Sequence, residues 1–200
     1  MVKIKDMIQP KFIIFIIIIF AFVFNICKLN GQTAADSISP TFPKVLFVKK
    51  NNDVLLYYDE HRKAYEVPSN GFLEGPMDFA KYIDSLAKDL GVEYDGFRLG
   101  GLFTYIYPNS YSTFIRPYFV VSVIGNKELN LKDPKCKWFT LDYALKEIKY
   151  PASRMITEKL LTDSISVWMA TFEEYGYTNP VDERKIKFRV LADFSRLNGQ

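Results

Sequence analysis

The chain has 200 residues, of which 48% are apolar, 16% aromatic and 24% charged. This composition favours a folded domain and excludes a disordered or low-complexity chain. The net charge of +3 comes from residues 1–31, so residues 32–200 are neutral and no nucleic-acid partner is expected. A single histidine excludes His-based metal sites and Ser/His triads, and His61 is expected to be a solvated loop residue.

The N-terminus carries a thirteen-residue apolar run, Phe12–Phe24, which follows three lysines and precedes the small residues "GQTAAD". This pattern is typical of a secretory signal peptide. An uncleaved anchor is the alternative, although residues 12–27 are shorter than the roughly 20 apolar residues of a spanning helix. We predict a signal peptide or anchor over 1–35 and a linker over 36–43. The protein would then be exported, either secreted or periplasmic after cleavage, or anchored in the membrane by residues 12–27.

The body begins with two short runs of β-forming residues, Val45–Val48 and Val54–Tyr58, around a polar turn. Apolar residues then recur at helical spacing and predict a helix that Gly91 ends. The residues of that apolar stripe are Phe79, Ile83, Leu86, Ala87 and Leu90.

The second half of the body predicts a hairpin, from "GLFTYIYP" and "STFIRPYFVVSVIG", in which Pro117 requires a bulge or an edge position. A short strand over Trp138–Leu141 precedes a short helix capped by Thr140 or Asp142. One longer helix is expected from Pro151 to Gly176, and Ile186–Leu191 either adds a last strand or dangles. The elements predict a mixed α/β sandwich with a largely antiparallel sheet.

Three passages, in this order, resemble the Nudix hydrolase superfamily. They are "KVLFVKKNNDVLLYY", "AYEVPSNGFLEG…LAKDLGV" and "KWFTLDYALKEIKYPASRMITEKLL". The resemblance covers about Lys44 to Leu161. It implies a Nudix-like α/β/α sandwich over 44–175, followed by a C-terminal extension over 176–200. It also implies Mg²⁺-dependent hydrolysis of a nucleoside diphosphate-linked substrate, in which carboxylates one helical turn apart hold the metal.

The residues at the family's box positions depart from its pattern. Gly71 to Gly91 spans 20 residues where the box needs 21. Counted back from Gly91, the box arginine becomes Asp84 and the first glutamate becomes Ser85. The Glu-Glu pair becomes Lys88-Asp89, so a single carboxylate remains and the box is interpreted as degenerate.

The resemblance implies a short set of site residues. Asp89 is the one metal ligand, and Asp89, Glu74 and Glu128 are the catalytic candidates. Gly71, Ser85 and Arg116 are the binding candidates, because Arg116 interrupts an apolar strand where it can meet a phosphate.

The expected function is therefore that of a catalytically impaired ligand-binding or interaction module. Its ligand would be a nucleotide or another phosphorylated small molecule, Mg²⁺ would be needed only if activity remains, and no protein partner is identified. The alternatives are an active Mg²⁺-dependent pyrophosphohydrolase and a structural envelope protein.

Cys136, between Lys135 and Lys137, is either a reactive thiol or, as we favour, an ordinary one.

Overall fold

A computed structural model describes residues 41–73, 78–108, 112–124 and 131–197, which lie in one compact unit spanning Ser39–Gln200. The predicted signal or anchor over 1–35 lies outside the described residues. No helix in the described part of the chain is long and apolar enough to cross a membrane.

The domain is built on a mixed sheet in the strand order β3-β2-β1-β5-β4-β7-β8, with β6 also paired to β2. Two of the strand pairs, β1–β5 and β4–β7, are parallel, and the others are antiparallel. The strands are β1 Lys44–Val48, β2 Val54–Asp59, β3 Ala64–Glu66, β4 Tyr94–Tyr107, β5 Ser112–Val123, β6 Cys136–Phe139, β7 Trp168–Tyr175 and β8 Lys187–Arg196.

Helices cover both faces of the sheet: α1 (Phe79–Leu90) on one face, α2 (Leu141–Glu147) and α3 (Pro151–Thr162) on the other. The first face buries Ile83 and Leu86 of α1 against strand residues such as Phe47. The second face buries Ile156 of α3 against Phe103 and other strand residues. Two cores separated by one sheet make the α/β/α sandwich that the sequence predicted.

The α1 helix forms where the apolar spacing predicted it. The Asp78 side chain caps its first turn by accepting a hydrogen bond from the Lys81 backbone N–H at 3.1 Å. At the other end Gly91 adopts φ +74°, the left-handed conformation that closes many helices. Leu86 and Leu90 face the core, as expected.

The predicted helix from Pro151 to Gly176 is wrong, because α3 ends at Thr162 and residues Trp168–Tyr175 form β7. Asp163 stops the helix by accepting hydrogen bonds from the backbone N–H groups of Ile165 and Ser166. In β7 every second residue, from Trp168 to Glu174, is buried. A period of two is typical of a strand, and the backbone of β7 pairs with β4 on one side and with β8 on the other.

The last strand forms and extends further than expected, with β8 pairing antiparallel to β7. Pro117 occupies a position that needs no ladder donor on the β1 side, because β1 pairing begins one residue later, at Tyr118. The β4–β5 register also shifts between Leu99 and Gly101, next to Pro117. The expectation of an edge position at Pro117 is confirmed on the β1 side, whereas the bulge lies in β4, between Leu99 and Gly101.

Candidate functional site

The loop before α1 is fastened to the helix by the hydroxyl of Tyr82. This hydroxyl accepts a hydrogen bond from the Asn70 backbone N–H at 2.7 Å, lies 3.2 Å from the Ser69 hydroxyl and donates to the Pro43 carbonyl at 3.3 Å. Gly71 follows with φ +83°, a left-handed conformation that favours glycine. The loop is thereby held at the start of β1.

The outer face of α1 carries the predicted site residues Ser85 and Asp89, both exposed and four residues apart. Two lysines lie at the C-terminal end of this face. Lys88 is its neighbour, and Lys132 donates from its ammonium group to the Lys88 carbonyl at 2.9 Å. A lysine at a helix C-terminus stabilises the helix dipole, but it also repels a divalent cation.

Asp84, at the box arginine position, is tied to β4 rather than to a ligand. Its carboxylate accepts a hydrogen bond from the Tyr94 hydroxyl. This bond, with a smaller effect of burial, raises the pKa of Tyr94 to about 12. Asp84 therefore stands where the Nudix box has an arginine, and its carboxylate serves to hold Tyr94 of β4.

Magnesium is a poor fit to the described part of this face. Among the described residues, no three His, Cys, Asp or Glu side chains lie together as a metal site needs, and Mg²⁺ prefers octahedral oxygen ligation. Asp89 supplies one carboxylate beside a serine and a lysine. The other two catalytic candidates, Glu74 and Glu128, lie outside the described residues.

A second feature is a polar cavity of about 240 Å³ at the end of the sheet where β1 and β5 begin. Its wall combines three cations, three carboxylates and four aromatic rings, drawn from the sheet, from α3 and from the loops beside them. These residues are Phe42, Lys44, Asp59, Arg62, Glu66, Tyr107, Arg116, Tyr150, Ser153, Glu174 and Tyr177. Among the predicted site residues that the structure describes, Arg116 alone lines it; Gly71, Ser85 and Asp89 do not.

The Arg116 guanidinium lies over aromatic rings, 4.3 Å from the centroid of Tyr105 and 5.2 Å from that of Phe42. One terminal nitrogen donates to the Tyr107 hydroxyl at 2.7 Å. Its Nε is buried and has no hydrogen-bond partner among the described residues. A buried donor without a partner is costly, so an oxygen atom that reached Nε after a small shift of the side chain would be bound favourably.

A chain of hydrogen bonds runs from the cavity into the core. Glu66 accepts from the Ser153 hydroxyl at 3.2 Å, and Ser153 lies 3.1 Å from the Tyr118 hydroxyl, which lies 3.2 Å from that of Tyr105. Burial is the main reason that the pKa of the Tyr118 hydroxyl is raised. These links join β3, α3, β5 and β4, so the cavity wall is rigidly connected to the fold.

Glu174 closes the cavity from β7 and is only 1% exposed. Its carboxylate accepts from the Ala152 backbone N–H at 2.7 Å, at the N-terminus of α3, and from the Tyr177 hydroxyl at 2.6 Å. Burial raises the pKa of this carboxyl group, while the two donors oppose that effect. The helix N-terminus explains how a buried carboxylate is tolerated here.

The cavity adjoins the loop that contains Gly71. Phe42, in the cavity wall, packs edge-to-face on Phe72 with ring centroids 4.9 Å apart. Thr41 pairs with Leu73 through two backbone hydrogen bonds. The loop resembling the start of the box is thus next to the cavity, although Gly71 itself does not line it.

Sequence reasoning missed most of the cavity residues. Lys44, Glu66 and Glu174 lie far apart in the chain and meet only in the folded sheet. Glu174 carried a signal, since it continues the buried alternation of β7. Cys136 is buried rather than at the surface, and this burial, with the nearby Asp133, raises the pKa of its thiol to about 12, which favours the ordinary thiol over the reactive one.

Comparison with known proteins agrees with the architecture. No family model and no curated protein matches the sequence. The mutator MutT protein of Bacillus halodurans superposes with a TM-score of 0.58 and 16% identity, over 76% of this chain and 97% of that one. The Ap4A hydrolase of C. elegans gives a TM-score of 0.49 and 13% identity, over 62% of this chain and 96% of that one.

A NUDIX hydrolase of Nitrosomonas europaea gives a TM-score of 0.48 and 14% identity, over 62% of this chain and 88% of that one. The likeness to the MutT protein establishes the fold, and identities this low carry no activity with them. The chain therefore has a Nudix-like fold, which confirms the fold expected from its three sequence passages.

Proposed function

We propose that this Nudix-like domain binds a nucleotide or another phosphorylated small molecule in the polar cavity, and that the hydrolytic face of α1 is impaired. The observation that carries the proposal is the placement of Arg116. This predicted binding residue lines the polar cavity and has a buried Nε without a partner among the described residues, whereas the predicted metal ligand Asp89 lies on an exposed face beside lysine.

The cavity offers the two kinds of contact that such a ligand needs. A phosphate oxygen that accepts from the Arg116 guanidinium forms a charge-assisted hydrogen bond, worth about 1.5–3 kcal/mol. The rings of Tyr107, Tyr150 and Tyr177 supply aromatic surface on which a planar group can pack. The carboxylates of the wall are already engaged with protein donors, which limits their repulsion of an anion.

The rival is Mg²⁺-dependent hydrolysis of a nucleoside diphosphate-linked substrate. It requires Glu74 or Glu128 to join Asp89 and overcome the positive charge of Lys88 and Lys132. The described residues around Asp89 support impairment instead. The structural envelope protein remains the third candidate, and export or anchoring through residues 12–27 is kept as part of the proposal.

Calorimetric titration with nucleoside mono- and diphosphates and inorganic pyrophosphate tests the binding proposal. Arg116→Met should weaken binding of the best ligand at least tenfold, which is the loss of about 1.4 kcal/mol. The matched control is Arg189→Met, which removes an exposed arginine that pairs with Glu173 outside the cavity. Failure of every ligand to bind, or equal binding by both variants, would refute the proposal.

Turnover of the same compounds with Mg²⁺ tests the impairment. We expect no hydrolysis above background and no difference between the wild type and Asp89→Asn. Hydrolysis that Asp89→Asn abolishes would establish the rival function instead.

A further inference from the structure

Lys44 places a primary amine in the wall of the polar cavity. It is the first residue of β1, and its side chain is only 6% exposed. Its Nζ donates to the Val67 carbonyl at 3.2 Å and lies 3.7 Å from the Glu66 carboxylate. A buried lysine held by a backbone carbonyl and a single carboxylate has far fewer partners than the solvated ammonium group it replaces.

The surroundings of Lys44 favour the neutral amine. Burial lowers its pKa from 10.5 to about 8, in part offset by the Glu66 carboxylate on β3. The Arg116 guanidinium on β5 lowers the pKa further, while Asp59 on β2 raises it slightly. The other ionisable groups of the cavity wall are Arg62, Tyr107, Tyr150, Glu174 and Tyr177.

We infer that Lys44 is a reactive amine that condenses with the aldehyde or ketone group of a small anionic carbonyl compound in the polar cavity. This inference extends beyond reversible ligand binding and does not depend on it, since it requires only the amine, the cavity and a carbonyl group. Neutral amines beside a second cation in a desolvated pocket are suited to this chemistry.

The condensation needs no oxidant or reductant. The Lys44 ammonium group first releases one proton, which the Glu66 carboxylate, 3.7 Å away, takes once a small side-chain shift brings it into hydrogen-bond distance. The lone pair on Nζ then forms a C–N bond to the carbonyl carbon while the C=O π electrons move to oxygen; nitrogen loses a second proton and oxygen gains one, which gives a carbinolamine. A second proton on that oxygen lets it leave as water while the nitrogen lone pair forms the C=N bond and nitrogen loses its last proton, so one amine and one carbonyl give one imine and one water.

The cavity selects which carbonyl compounds fit. A volume of about 240 Å³ admits a small molecule, and the Arg116 guanidinium in its wall can donate to a carboxylate or phosphate oxygen. A compact aldehyde or ketone that carries an acidic group is therefore the expected class.

Reductive trapping on the full chain tests this inference. The protein is treated at pH 7 with cyanoborohydride and either glyoxylate, an anionic aldehyde, or formaldehyde, which is neutral and smaller. Labelled lysines are located by peptide mass mapping. With a pKa of about 8 against 10.5, the neutral fraction of Lys44 at pH 7 is roughly 300 times that of an exposed lysine.

We expect both reagents to label Lys44 at least tenfold faster than Lys187, an exposed lysine on β8. Lys44→Arg keeps the cation but removes the nucleophile, so labelling at this position should disappear while Lys187 is unchanged. Arg116→Met should slow the glyoxylate reaction more than the formaldehyde reaction, because only glyoxylate carries an anion.

The pH dependence of the labelling rate separates a lowered pKa of Lys44 from mere accessibility of its amine, because accessibility does not change the midpoint pH. The labelling rate at Lys44 should be half-maximal near pH 8, and Glu66→Gln should shift that midpoint lower, since it removes the charge that favours the ammonium form. Labelling no faster than at Lys187 with formaldehyde, or a midpoint near 10.5, would overturn the inference. Because formaldehyde has no anionic group, failure of phosphate binding leaves this result unaffected.

Discussion

Tyr82→Phe should detach the loop at Gly71 from α1 while leaving the core intact. The phenyl ring keeps the packing of Tyr82, which is buried among apolar residues of α1 and the sheet. Only the hydroxyl is lost, and with it the acceptor of the Asn70 backbone N–H at 2.7 Å and the contacts to Ser69 and Pro43. The substitution therefore isolates the link between loop and helix.

The expected loss of stability follows from these three contacts. A neutral hydrogen bond contributes about 0.5–1.5 kcal/mol net, and an amide left without an acceptor costs more than one that water reaches. The Asn70 bond is the shortest and dominates, and the contacts at 3.2 and 3.3 Å add less. We expect a loss of about 2 kcal/mol, equivalent to a fall in Tm of about 4–8 °C for a protein of this size.

Urea unfolding followed by tryptophan fluorescence measures the global effect, and amide hydrogen exchange at Asn70 measures the local one. The matched control is Tyr143→Phe, which removes a hydroxyl from a tyrosine that is 62% exposed and should change stability by less than about 0.5 kcal/mol. A Tyr82→Phe variant as stable as that control, with unchanged exchange at Asn70, would refute the role assigned to the hydroxyl.

Three further outcomes are expected. Because burial lowers the pKa of Lys44 to about 8, the unfolded chain binds more protons between pH 8 and 10.5. Urea melts should therefore show the wild type gaining about 3 kcal/mol over Lys44→Met as pH rises through that window. Gly101→Ala should cost about 3 kcal/mol by chemical denaturation, because its Cβ would lie 2.4 Å from the Trp168 carbonyl oxygen, whereas Gly96→Ala, with nothing within 4 Å, should be nearly neutral. Iodoacetamide at pH 8, with peptide mapping, should leave Cys136 unmodified in the native protein and modify it in urea, since burial raises its pKa to about 12.

Each of these outcomes has a clear contrary result. A difference between the wild type and Lys44→Met that stays constant across that pH window would mean that the Lys44 amine titrates normally. Equal stability of Gly101→Ala and Gly96→Ala would show that β4 and β7 separate easily. Rapid alkylation of native Cys136 would place the thiol at an accessible surface.

The spacing of apolar residues along the sequence was enough to predict the elements in which that spacing is regular over several turns. The stripe from Phe79 to Leu90 fixed α1, and Gly91 fixed its end. The stretch after Pro151 was misread because an α-helix does begin there, and its apolar residues continue at spacings that fit helix or strand. The alternation from Trp168 to Glu174 is short and becomes decisive only when β4 and β8 flank it.

The candidate site divides in the same way. Arg116 could be predicted because a charged residue that interrupts an apolar strand is recognisable from the sequence alone. Lys44 and Glu174 did not stand out, since each borders an apolar run and neither is near the other in the chain. Their meeting depends on the parallel pairs β1–β5 and β4–β7, which no local pattern encodes.

The β7–β8 pair shifts register twice, between Met169 and Thr171 and between Thr171 and Phe172, and this irregularity has a consequence for the protein in a crowded solution. β8 is ten residues long and is the last of the described strands on its side of the sheet. A regular strand of that length would offer an evenly spaced row of backbone donors and acceptors to any passing chain. The irregular register and the charges of Lys187, Arg189, Asp193 and Arg196 interrupt that row, so the edge is a poor template for the stacking that begins aggregation.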